Sequence, residues 1–137
     1  MLDQRIIPTM KHRELVARLT ELEGGLSEAR IYQEAVLTAS RRLSPVCDYA
    51  RIAVQVRGKR RYLNWRQRYY KRPYFRLDDE HGTYMLAHFA GNRADILALE
   101  QARMVSNYRY QTAVYEHDQL LQLKTQLSVW RKLRDAT

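Results

Sequence analysis

The sequence predicts an α+β fold that is mainly α. The expected form is a long antiparallel helical pair, coiled-coil-like, with a small basic antiparallel β-meander inserted between the helices. Three observations predict it. Apolar residues recur by threes and fours over 9–43 and again over 92–134. The segment between, 49–77, alternates apolar and polar residues with the period of a strand. The basic excess of the chain is concentrated in that middle segment.

The N-terminal helical zone, 9–43, opens at Pro8-Thr9, with Thr9 suited to cap a helix. Leu15, Leu19, Leu22, Leu26, Ala29, Gln33, Val36, Ser40 and Leu43 then follow in alternating steps of four and three. That is a heptad seam, diluted by Gln33 and Ser40. Gly24-Gly25 interrupts the zone at a cost of about 2 kcal/mol relative to two alanines. A break or kink is expected there, with Ser27 as a new cap and a Leu26–Ile31 staple, although the seam keeps its phase across the glycines. Ser44-Pro45 ends the zone, because proline disfavours helix in the residue before it.

In the meander, "YARIAVQVR" places Ile52, Val54 and Val56 on one face and Arg51, Ala53, Gln55 and Arg57 on the other. Gly58-Lys59 is a tight-turn signal. "RRYLNWRQ" follows as a second strand, with Leu63 and Trp65 facing the core and Tyr62 sharing the other face with Arg60 and Arg66. "YKRP" is a second turn, and "PYFRL" an edge strand, since Pro73 cannot donate to a ladder. "DDEHGTYMLAHFAGN" reads as a turn and one short helix. From Arg93 to Arg134 there is no Gly or Pro, and Asn92 with Asp95 makes a good helix start. A single helix of that length needs more than a small sheet to cover it: the N-terminal helix, a second copy of the chain or another protein. Chain length, 137 residues, suits a single domain, 1–137.

The charge map carries the functional reading. Ten Lys/Arg and no acidic residue lie between Arg51 and Arg76, while the rest of the chain holds fourteen basic and fifteen acidic residues. Self-repulsion opposes such a concentration, so it points to a negatively charged partner. Eight of the ten are Arg, which suits planar contact with phosphate and stacking. Phosphate contacts are expected from Arg57, Lys59, Arg60, Arg61, Arg66, Arg68, Lys71 and Arg72, and aromatic contacts from Tyr62, Tyr69 and Tyr70. The competing reading is a face whose aromatics pack the meander onto the helices while the arginines sit in water.

The leading expectation is therefore a non-enzymatic nucleic-acid-binding protein, for DNA or RNA, whose helices give rigidity and a possible homodimer. The alternative is a protein–protein interaction module or inhibitor whose basic face docks an acidic partner protein. No enzyme motif appears: no phosphate-binding loop, no nucleophile elbow, no dinucleotide fingerprint. His12, His81, His88 and His117 form no metal-ligand spacing with one another or with Cys47, so no metal or cofactor is expected. "DDEH", Asp78–His81, reads as a solvated acidic turn. No signal peptide, lipidation signal or membrane-spanning run is seen, and a lone cysteine suits a reducing, cytoplasmic setting.

Overall fold

The computed structural model describes residues 3, 5, 11–69, 71 and 73–136. Helix α1 spans His12–Arg42, and a short helix α2 spans Val46–Tyr49. Strands β1 (Ala50–Arg57), β2 (Arg60–Gln67) and β3 (Tyr74–Phe75) follow. Helix α3 covers Glu80–His88, a 3-10 turn covers Ala90–Asn92, and helix α4 runs over Arg93–Asp135. The chain is mainly helical, with a three-stranded antiparallel sheet, ordered β1-β2-β3, between the long helices. The expected opening at Pro8-Thr9 lies outside the described residues.

These residues form two compact units. One is Glu28–Gln111, and the other joins the segments before Glu28 and after Gln111.

In the 28–111 unit the core is built from Val36 and Leu37 of α1, Val46 of α2, Ile52, Leu63, Trp65 and Phe75 of the sheet, Met85 of α3 and Ile96 of α4. The alternation read from the sequence is what the sheet uses. Ile52, Leu63, Trp65 and Gln67 are buried, and their neighbours in each strand face outward. Val56 escapes the rule at 63% exposed, because the hairpin tip lies beyond the reach of the core. Gly58 turns the hairpin at φ +63°, a left-handed conformation that favours glycine.

Helix α4 finishes the other edge of β2, where β3 is too short to pair. The Asn107 carboxamide accepts from the Leu63 N–H at 2.8 Å and donates to the Leu63 carbonyl at 2.9 Å. Gln111 donates to the Arg61 carbonyl and Arg103 to the Leu63 carbonyl. Arg103, Asn107 and Gln111 are spaced by four, so one helix face supplies what a neighbouring strand would. The Trp65 indole N–H donates to Glu100 at 2.7 Å, and Glu100 in turn pairs with Arg103. On the opposite edge, Ser40 of α1 accepts from the Ile52 N–H at 2.7 Å. One of the two polar members of the seam thus binds the sheet; the other, Gln33, is buried with no partner for its amide among the described residues.

Asp78–His81 has a structural role. Asp79 caps α3, accepting from the Gly82 N–H at 3.0 Å and the Arg76 N–H at 2.9 Å. Burial pushes the Asp79 carboxyl up, but those backbone donors, that of His81 and the His81 charge outweigh it and hold it below the usual carboxylate range. Gly82 sits against the Leu77 backbone so closely that a Cβ would fall 2.1 Å from the Leu77 carbonyl oxygen.

In the other unit, Leu15, Leu19 and Leu22 are buried, and Arg18–Glu116 and Glu23–His117 contacts, each 3.7 Å, join α1 to α4. Along α4, His117, Leu120, Leu123 and Leu127 are half-buried, and Trp130 is exposed.

The expectation of a break at Gly24-Gly25 is corrected: α1 continues through both glycines, so Ser27 caps nothing. The proposed staple is also absent, with Ile31 exposed. The seam explains the outcome, since Leu22 and Ala29 are both buried in phase on either side of the pair. That burial outweighs a glycine cost of about 2 kcal/mol.

Candidate nucleic-acid interface

The strand register decides how the basic side chains are arranged. Arg51 lies opposite Arg66, Ala53 opposite Asn64, Gln55 opposite Tyr62, and Arg57 opposite Arg60. All belong to the outward face of the sheet, as does Tyr74, which lies opposite Arg66 on β3. Two arginine–arginine pairs therefore face solvent across one hairpin, with Lys59 at its turn. Like charges directly opposite one another destabilise a sheet, by up to about 1 kcal/mol per pair. Among the described residues, none of Arg51, Arg57, Lys59, Arg60 and Arg66 has a carboxylate within ion-pairing distance. Aromatic rings soften the crowding: the Arg57 guanidinium lies 5.8 Å from the Tyr62 ring centre and that of Arg66 5.9 Å from Tyr74. Asn64 and Gln55 are hydrogen-bonded to each other across the face at 2.7 Å.

The remaining candidates divide. Arg61 is on the opposite face of β2, in phase with Leu63 and Trp65, only 27% exposed and 3.7 Å from Glu34 of α1. It therefore stands apart from Arg60 despite being its neighbour in sequence. Arg68 and Tyr69 follow β2, with Arg68 5.6 Å from the Tyr69 ring centre and 3.9 Å from Asp48. Tyr69 is 82% exposed, and Lys71 is exposed as well. Tyr70, Arg72 and the part of the "YKRP" turn that they form lie outside the described residues.

Two cavities flank this face, and both lie within the 28–111 unit. The first, about 350 Å³, runs along β1, where Arg41 from α1 joins Arg51, Arg66 and Arg68. Among the described residues no carboxylate lines it. The second, about 410 Å³, is walled by aromatic rings from α2, α3 and the segment after β2. In it Tyr49 lies 5.5 Å from Tyr84 and 5.9 Å from Phe89, and Tyr84 stacks on His88 at 5.3 Å. Gln67 and Arg68 line both cavities.

Arg41, Arg51, Tyr49, Tyr84 and Phe89 are absent from the sequence-based site. Arg51 had a signal, being in the acid-free window and in phase with Arg57. The others are gathered by tertiary structure alone. Among the described residues no three His, Cys, Asp or Glu side chains come together as a metal site, and no helix is long and apolar enough to cross a membrane. Compared with known proteins, the chain matches no family model, no curated protein and no solved structure.

Proposed function

We propose that this chain binds nucleic acid, without catalysing a reaction, through the outward face of its sheet. The observation that carries the reading is the register. Arg51 with Arg66 and Arg57 with Arg60 are held opposite each other, without a carboxylate partner among the described residues. Such a surface costs stability in the free protein and loses that cost when phosphates lie across it. Arg57, Lys59, Arg60 and Arg66 are the phosphate contacts from the sequence-based set, and Arg51 joins them. Arg68 and Lys71 extend the surface beyond β2, and Tyr62 and Tyr69 offer rings beside the guanidinium groups. Arg61 contributes to the fold through Glu34 instead.

The helices serve rigidity and assembly. A coiled-coil-like pairing of α1 with α4 is supported by the buried seam residues, and a homodimer by the exposed apolar side chains Leu121, Val129, Trp130 and Leu133 on α4. The free thiol of Cys47 suits a cytoplasmic setting.

The test is a titration of labelled single- and double-stranded DNA and RNA with the wild type and with a variant combining Arg51→Glu, Arg57→Glu, Arg60→Glu and Arg66→Glu. Binding by the wild type that disappears in the folded variant is expected. Failure of the wild type to bind any polymer, with capture of an acidic protein instead, overturns the reading.

A further inference from the structure

The arginine-lined cavity and the aromatic cavity are neighbours with complementary chemistry. From the first come Arg41, Arg51, Arg66 and Arg68, with no carboxylate in the lining among the described residues and only Arg68 near one, 3.9 Å from Asp48. From the second come Tyr49, Tyr69, Tyr84, His88 and Phe89, with Asp48 the one carboxylate among the described residues of its lining. Arg68 and Gln67 belong to both linings, so the positive cavity and the rings meet at these two residues. Gln67 is buried, its side-chain Nε2 lies 2.6 Å from the Tyr49 hydroxyl, and its Oε1 has no partner among the described residues.

A flat ring carrying an anion within one nucleotide's reach fits this arrangement. We infer that the paired cavities form a subsite for a single unpaired nucleotide, its base among Tyr49, Tyr84 and Phe89 and its phosphate among Arg51, Arg66 and Arg68. The inference rests on the nucleic-acid reading and adds strand preference to it. A base inside a duplex is stacked and paired, and cannot lie against the exposed Tyr84 ring without extrusion. Single-stranded polymers offer it freely, so the site favours them over duplex. Asp48 lines the aromatic cavity 3.9 Å from Arg68, and its carboxylate offers an acceptor to bases that carry an amino group.

The test uses a short oligonucleotide with a central 2-aminopurine, single-stranded and as a duplex. The proteins are the wild type, Tyr84→Ala and Tyr84→Phe. Tyr84 is 52% exposed, so its truncation leaves the core intact. With the wild type, 2-aminopurine emission is expected to be quenched on the single strand. Tyr84→Ala should lose about tenfold in single-strand affinity and keep its duplex affinity, while Tyr84→Phe should retain both. Binding to the polymers with unchanged emission, and equal affinity of Tyr84→Ala, overturns the subsite but leaves the sheet-face reading standing. No binding to any polymer overturns both. Tight binding of a trimethyllysine peptide in place of the oligonucleotide identifies the rings as a cation cage and also overturns the subsite.

Discussion

Asn107 shows how much a single side chain organises. Its carboxamide holds the N–H and carbonyl of Leu63, groups that a third full-length strand would otherwise pair. Asn107→Ala strips the Leu63 N–H of its partner in a half-buried setting, and leaves the carbonyl only the Arg103 guanidinium. The expected loss is about 2 kcal/mol of unfolding free energy, read from the midpoint of a denaturant titration. An unchanged midpoint would mean that water serves these groups equally well. Nothing near Asn107 in sequence announces this, because its partner lies 44 residues away. Arg61 is the opposite case. It shares phase with Leu63 and Trp65, so strand alternation alone places it inward. Counting charges along the run hides that, and the structure shows it beside Glu34. The same alternation places Arg51 outward, opposite Arg66.

Among the elements, the apolar stripe of α1 was readable from the chain. Leu15, Leu19, Leu22, Ala29, Gln33, Val36 and Ser40 are buried, and Leu26 and Leu43 are half-buried. Propensity misled at Gly24-Gly25, where packing on the seam outweighs a local glycine preference. Both glycines are exposed, and a Cβ at either meets nothing within 4 Å. Gly24→Ala and Gly25→Ala should therefore each stabilise the protein by about 1 kcal/mol, seen as a raised melting temperature. A lowered melting temperature would show that the helix needs flexibility here. Strand boundaries for β1 and β2 followed from alternation and from Gly58-Lys59. The four-residue α2 was too short to leave a periodic signal, whereas the edge strand read at "PYFRL" is present as the two residues of β3. The exposed apolar side chains near the end of α4 give the homodimer its test. Light scattering should report a dimer at high concentration, and Trp130→Glu with Leu133→Glu should return it to monomer. A wild-type monomer at every concentration contradicts assembly through this helix.

At the scale of the molecule, the plan of a small basic sheet between long helices was legible, because charge and period change together at its borders. The two cavities were not. They draw side chains from α1, α2, α3 and the sheet, and no local pattern joins Arg41 to Arg68 or Tyr49 to Phe89. The charge concentration nonetheless makes a quantitative demand. If about five phosphates are neutralised by Arg51, Arg57, Lys59, Arg60 and Arg66, affinity must fall with salt in proportion. The direct measurement is the slope of log affinity against log salt concentration for the wild type on duplex and on single-stranded DNA. Slopes near −4.5 and −3.5 respectively are predicted. Affinity that does not change between low and physiological salt, or an equal slope in the four-arginine Glu variant, would contradict a phosphate-binding sheet face.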